Sequence, residues 1–311
     1  MDLTPAFPTF IVTLREGFEA ALVVGIVMAC LQKAQQTKLY SWVYLGILAG
    51  ILGSVGVAIL LANTMQGLET AGGVYAPVIK QILAGSFGVI AIAMLSWMLI
   101  WMSLQAKSLK GEVENTIDDA LNSQNAGKAI FVVIAIAVLR EGFETVLFIL
   151  AKFPQQLTLP TIGAIAGLSL AAFLGWLLFA LGVKINIRLF FQIMGIFLLL
   201  IVGGLVLSAL FHFDKAITLF SQISTNNWCL VNSDSCLLGK QVWNGANILP
   251  DRQFPGIILK ALCGYRQTLY LGQIVAYISF LIIIGGAYFQ SLTGQSIKVK
   301  LPMFKFNTPK N

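Results

Sequence analysis

Two hexapeptides in this chain are identical: Leu14-Arg15-Glu16-Gly17-Phe18-Glu19 and Leu139-Arg140-Glu141-Gly142-Phe143-Glu144. Each sets one guanidinium and two carboxylates inside an otherwise apolar run. On a helix turning about 100° per residue, Glu19 lies about 40° round from Arg15 and Glu16 about 100°. The three charged groups therefore share one sector, with Gly17 behind them. Arg140, Glu141, Glu144 and Gly142 repeat that arrangement. Arg and Glu at i,i+4 pair on a helix. If the two copies face each other, four carboxylates and two guanidiniums meet, with a formal sum of −2. Such a cluster is too anionic to sit dry with every group ionised. It takes up protons or holds a cation. Carboxylates are hard oxygen donors suited to a hard, highly charged ion. A divalent ion would bring the sum to zero and a trivalent ion to +1. The arginines would keep the carboxylates ionised when no metal is bound. They would also keep binding loose enough for the ion to leave, as conduction requires.

The setting gives these charges their weight. Apolar residues make up 58% of the 311-residue chain and charged residues 11%, against about 25% charged in a soluble domain. Mean hydropathy is +0.85. This excludes disorder, a disulfide miniprotein and an ordinary soluble enzyme, and leaves a multi-span membrane protein. The net charge of +7 does not point to nucleic acid, because the basic residues are scattered singly between apolar runs. Seven apolar runs are long enough to span: about 8–32, 42–62, 80–104, 129–151, 161–183, 188–211 and 270–290. Both charged motifs fall near mid-span. Six unpaired charges there would cost roughly 15–20 kcal/mol, more than a protein's usual net stability of about 5–15. They must compensate one another or line a polar cavity. A structural role as buried salt bridges is the alternative. The duplication of all six groups at matching depth favours function, which is the default for charge inside a membrane.

The motif repeat extends further. Span two carries Gly46-Ile47-Leu48-Ala49-Gly50 and span five Gly163-Ala164-Ile165-Ala166-Gly167. These small-residue faces read as helix-packing surfaces. The chain divides into two three-span units plus a seventh span. An odd number of spans per unit inverts the second copy, a transporter plan with its site at the midplane. The expected fold is an all-α polytopic membrane protein of seven transmembrane helices. Its parts are a first repeat (1–104), an acidic cytoplasmic loop (105–128), an inverted second repeat (129–211), an extracytoplasmic loop (212–269), a seventh helix (270–290) and a basic tail (291–311).

Lys and Arg set the orientation. Eleven basic residues, among them Lys33, Lys38, Lys107, Lys110, Lys128, Lys184 and Arg188, fall on one side with the C-terminal tail. Seven fall on the other side, five of them in the long loop. This predicts a cytoplasmic C-terminus and an external N-terminus; the plasma (inner) membrane is the expected location. The N-terminal segment has no basic residue before Arg15, unlike a signal peptide. In the external loop, Cys229 and Cys236 could pair with each other, or either with Cys263; free thiols are the alternative. Glu69, His212 and Asp214 on that side could guide a cation inward, although His212 could equally cap a helix end. Glu112, Glu114, Asp118 and Asp119 in the cytoplasmic loop could accept a cation leaving the membrane, but a solvated acidic loop explains them as well. The pairs Trp97/Trp101 and Met98/Met102 in span three read as interfacial belt and packing. No nucleophile–base–acid set, phosphate loop or haem motif is present in the sequence, so no enzyme is expected.

At the twinned motif the sequence resembles the high-affinity iron permeases, the oxidase-dependent iron transporter family. Members carry Arg-Glu-x-x-Glu in the first and fourth of seven spans, often with Leu where Phe18 and Phe143 stand here. The stretch Leu259-Lys260-Ala261-Leu262-Cys263-Gly264-Tyr265 is similar to a family segment with an aromatic in place of Cys263, and His212 sits where many members have His. The resemblance implies iron as the transported substrate and no cofactor. It implies Glu16, Glu19, Glu141 and Glu144 as ligands, with Arg15 and Arg140 as charge partners. It also implies a ferroxidase or an extracytoplasmic iron-handling protein as a partner. Four hard carboxylates favour ferric iron and are compatible with ferrous. A proton-coupled carrier or proton path using the same carboxylates is the competing expectation.

Overall fold

The computed structural model describes residues 6–71, 73–105, 117, 125–153, 158–180, 182, 186–224, 229, 235–245, 249–250 and 255–293. The architecture is helical. The long helices are α1 (Ala6–Lys33), α2 (Tyr40–Ala71), α3 (Ala76–Gln105), α4 (Ala126–Lys152), α5 (Thr158–Ala180) and α6 (Ile187–Ile223). Between α6 and the last helical stretch lie strand β1 (Gln241–Asn244), the short helix α7 (Gly256–Cys263) and strand β2 (Thr268–Tyr270), with β1 and β2 antiparallel. The chain then runs through α8 (Leu271–Phe280), a π-helical turn (Leu281–Gly285) and α9 (Gly286–Thr293).

Five helical stretches are long and apolar enough to cross a membrane: Thr37–Thr64, Gly73–Trp101, Thr158–Ala180, Ile187–Ile223 and Leu271–Leu292. In hydrocarbon a helix satisfies its own backbone, which is why apolar runs of this length become helices. Helices α1 and α4, of 28 and 27 residues, have the length but carry the charged motifs. The protein is an integral membrane protein. Large apolar side chains on α2 and α5, such as Leu52, Ile59, Ile165 and Trp176, point outward, as a lipid-facing surface demands.

Helix ends depart from the hydropathy boundaries where polar residues interrupt apolar runs without stopping the backbone. Helix α6 continues through His212, Asp214 and Lys215 to Ile223, well past 211. Its start is capped by the Asn186 side chain, which accepts from Leu189 N at 3.1 Å. Helix α2 likewise runs to Ala71 rather than 62. Helix α5 stops at Ala180, short of 183, close to Gly182, whose φ of +65° is left-handed and suits glycine.

The helices pair across the chain. Helix α1 packs along α5, α2 along α4 and α3 along α6, while α1 and α4 also touch. Small residues make the first two pairings close. A Cβ added at Gly50 would stand 2.7 Å from Val138 Cβ, and one at Gly163 would run into the Ala6 carbonyl. The motif glycines do the same on the back of the charged sector. Gly17 faces Ala171 and Leu168 of α5, and Gly142 meets Ser54 of α2. Phe18 is fully buried, with its ring centroid 4.4 Å from that of Phe190 on α6. The main apolar core joins Ile11 and Val12 of α1, Leu95 and Leu99 of α3, Phe148 of α4, Leu198 and Val202 of α6, and Tyr288 of α9. A second core near the α1 C-terminus joins Val27, Leu31, Val43, Ile130 and Ile134.

Candidate ion site

Packing α1 against α4 brings the two charged sectors together. Carboxylate oxygens of Glu16, Glu141 and Glu144 lie within 4.8 Å of one another. Arg15 Nη1 donates to Glu16 Oε1 at 2.7 Å, and Arg15 Nη2 stands 3.0 Å from Glu19 Oε1. Arg140 Nε lies 3.3 Å from Glu144 Oε1 and 4.0 Å from Glu141 Oε1. Arg15, Glu16 and Glu144 are 3%, 1% and 6% exposed. Each arginine thus reaches two glutamates of its own motif, and Glu19 is the one carboxylate of the four outside the convergent group.

Each of the three convergent carboxylates keeps one oxygen, Oε2, buried with no hydrogen-bond partner. Unsatisfied buried polar atoms call for an explanation. Two like charges at such separations repel by about 3–4 kcal/mol at an effective dielectric of 20. Three ionised carboxylates then repel by roughly 10 kcal/mol before the arginines offset it, which rivals a protein's entire net stability. The three convergent carboxylates offer hard oxygen donors for a cation, and the same set can take up protons.

The other residues singled out in the sequence lie elsewhere or have other partners. His212 sits within α6, its Nδ1 2.7 Å from Gln81 Oε1 of α3. The Asp214 carboxylate accepts from Ser235 Oγ and, at 2.8 Å, from Leu237 N, and so ties the segment around Ser235 to α6. Cys229 and Cys236 are joined by a disulfide in that same segment, without Cys263. The side chain of Glu69 and the residues Glu112, Glu114, Asp118 and Asp119 lie outside those described.

Helix α3 supplies groups that the sequence reading assigned to packing or the interfacial belt. Met98 Sδ accepts from Arg15 Nη1 at 3.2 Å. The Arg140 guanidinium carbon stands 5.5 Å from the centroid of the Trp101 ring, within cation–π range. Beside them is a cleft of about 320 Å³ lined by Ala93, Met94, Trp97, Met98, Arg140 and Glu144. The i,i+4 spacing of Trp97/Trp101 was the available signal, but aromatic residues near a span end have the same spacing in a lipid belt.

Fold and site together define a helical membrane protein with a buried carboxylate cluster able to handle a cation. The chain belongs to the iron permease FTR1 family, which matches residues 6–292. It is 52% identical over 299 residues to the uncharacterized protein slr0964 of Synechocystis sp., covering 95% of this chain and 96% of that protein. It is 28% identical over 280 residues to the ferrous iron permease EfeU of Escherichia coli O157:H7, covering 89% and 92%. The ferrous iron permease EfeU of Yersinia pestis is also 28% identical, over 278 residues, covering 89% of this chain and 90% of that protein. No solved structure matches the chain.

Proposed function

We propose that this protein carries iron inward across the plasma (inner) membrane through the site between α1 and α4. The observation that carries this reading is the convergence of three buried, half-unsatisfied carboxylates from two copies of one motif. Glu16, Glu141 and Glu144 bind the ion. Glu19 completes the set when Arg15 releases it, and Arg15 and Arg140 balance the charge of the empty site.

Hard oxygen donors suit ferric iron. Charge balance points the other way: against a formal −2, a ferrous ion leaves the site neutral and a ferric ion leaves it at +1. A neutral site is cheaper in a low-dielectric interior. The enterobacterial relatives are named ferrous permeases, and ferrous iron is the ion we propose. An extracytoplasmic iron-handling partner belongs to this reading as the supplier of the ion.

The scaffold in this reading is a seven-span inverted repeat with its N-terminus outside and C-terminus in the cytoplasm. The packing supports it: exchanging α1 with α4, α2 with α5 and α3 with α6 maps each of the three main helix pairs onto a main pair. The test is radiolabelled iron uptake by cells expressing Glu16→Gln or Glu144→Gln. The expected result is a loss of at least about tenfold with unchanged amounts of protein in the membrane. Normal uptake in both variants would refute the assignment.

A further inference from the structure

The two arginines are covered very differently. Arg15 is 3% exposed and engages Glu16, Glu19 and Met98. Arg140 is 49% exposed. It reaches Glu144 and Glu141 from one edge only, through Nε, and its guanidinium carbon stands over Trp101. The cleft between α3 and α4 is lined on the α4 side by Arg140 and Glu144. Glu144 is therefore both a member of the convergent carboxylates and part of the cleft wall. Met98 likewise touches Arg15 on one side and lines the cleft on the other.

Direction follows from helix geometry. Side chains lean toward the N-terminus of their own helix. If α1 and α4 run oppositely across the membrane, their arginines sit at opposite ends of the carboxylate cluster. Arg15 then lies on the external side and Arg140 on the cytoplasmic side. A half-exposed guanidinium is costly against acyl chains, so the space around it must hold water. Trp97, 67% exposed, lines the cleft, and Trp101 lies beside Arg140.

We propose that the α3–α4 cleft is the release path of the ion and that Arg140 is its movable gate, held by the Trp101 ring when it leaves the carboxylates. This rests on the transport reading above. With the ion bound, Glu141 and Glu144 serve the metal and the guanidinium lies on Trp101. When Arg140 swings back to those carboxylates it competes with the ion and expels it into the cleft. By then Arg15 has returned to Glu16 and Glu19, so the external side is sealed while the cytoplasmic side is open.

Two measurements on the full-length chain in membranes test this. First, Ala93→Cys is treated with a membrane-impermeant maleimide in inside-out and right-side-out vesicles, with the parent chain as blank for its own thiols. Labelling at least tenfold faster from the cytoplasmic face is expected. Labelling from outside alone, or from neither face, overturns the proposal; a crosslink between the introduced thiols of two copies, without labelling, would overturn it too and mark the face as a contact between copies. Second, Trp101→Leu should cut the maximal rate of ferrous iron uptake about tenfold, leave the half-saturating concentration within about twofold, and be rescued by Trp101→Phe. An unchanged rate in Trp101→Leu overturns the gate. Because Glu16→Gln tests the transport reading by itself, a failure of the cleft experiments with Glu16→Gln still inactive would remove the gate and leave the permease.

Discussion

At the scale of single residues, the site depends on unequal arginines. Arg15 is enclosed by Glu16, Glu19 and Met98, and removing it would leave two carboxylates in the interior without their cation. Breaking a buried pair from one side costs about 3–5 kcal/mol. Arg15→Met should therefore lower the thermal midpoint of the detergent-solubilised protein strongly. Arg140→Met should lower it much less, because its guanidinium is half-exposed. Equal losses in the two variants would contradict the different covering of the two ends. Much of this site could be read from residue types alone. An Arg and two Glu in one helical sector, twice over, must compensate each other in lipid wherever the helices go. The parts that could not be read are those supplied by a third helix. Met98 and Trp101 lie on an apolar stretch where methionine and tryptophan usually mean packing or lipid headgroups, and only the placement of α3 beside both motif helices makes them neighbours of Arg15 and Arg140. Asp214 reads as an exposed acid from its sequence surroundings, but its carboxylate is occupied by a loop residue twenty-one positions away.

At the scale of helices, glycine spacing decides which surfaces meet. The sequence faces on spans two and five are visible as small-residue patterns, but a pattern does not name its partner. The structure pairs them crosswise, α2 with α4 and α5 with α1, so each motif helix is backed by the glycine face of the other half. Gly142→Val should disrupt this by driving a side chain into Ser54. Overpacking of this kind costs about 1–3 kcal/mol and should appear as a lower thermal midpoint and less protein in the membrane. Gly56 has open space around it; Gly56→Ala should be neutral or stabilise by up to about 1 kcal/mol. A destabilised Gly56→Ala beside an unaffected Gly142→Val would show that the pairing is wrong. The length of α6 was not legible from hydropathy, since hydropathy follows the lipid boundary and this helix extends past polar residues to Ile223.

At the scale of the whole molecule, helices carrying the two motif copies hold a charged centre within an apolar exterior. In the proposed transport, the groups that compensate the ion's charge come from both motif copies. Orientation is open to a direct check. A reporter active only in the cytoplasm should function when fused after Asn311 and fail when fused before Met1. The reverse pattern would invert the membrane sidedness assigned to Arg15 and Arg140. The central claim is that iron sits on carboxylates from both motifs at once. Diffraction from iron-loaded crystals on either side of the iron absorption edge tests it most directly. The account predicts one anomalous peak bridging Glu16 of α1 and Glu141 and Glu144 of α4. A peak confined to one helix, or placed in the segment between α6 and α8 with none between α1 and α4, would contradict it.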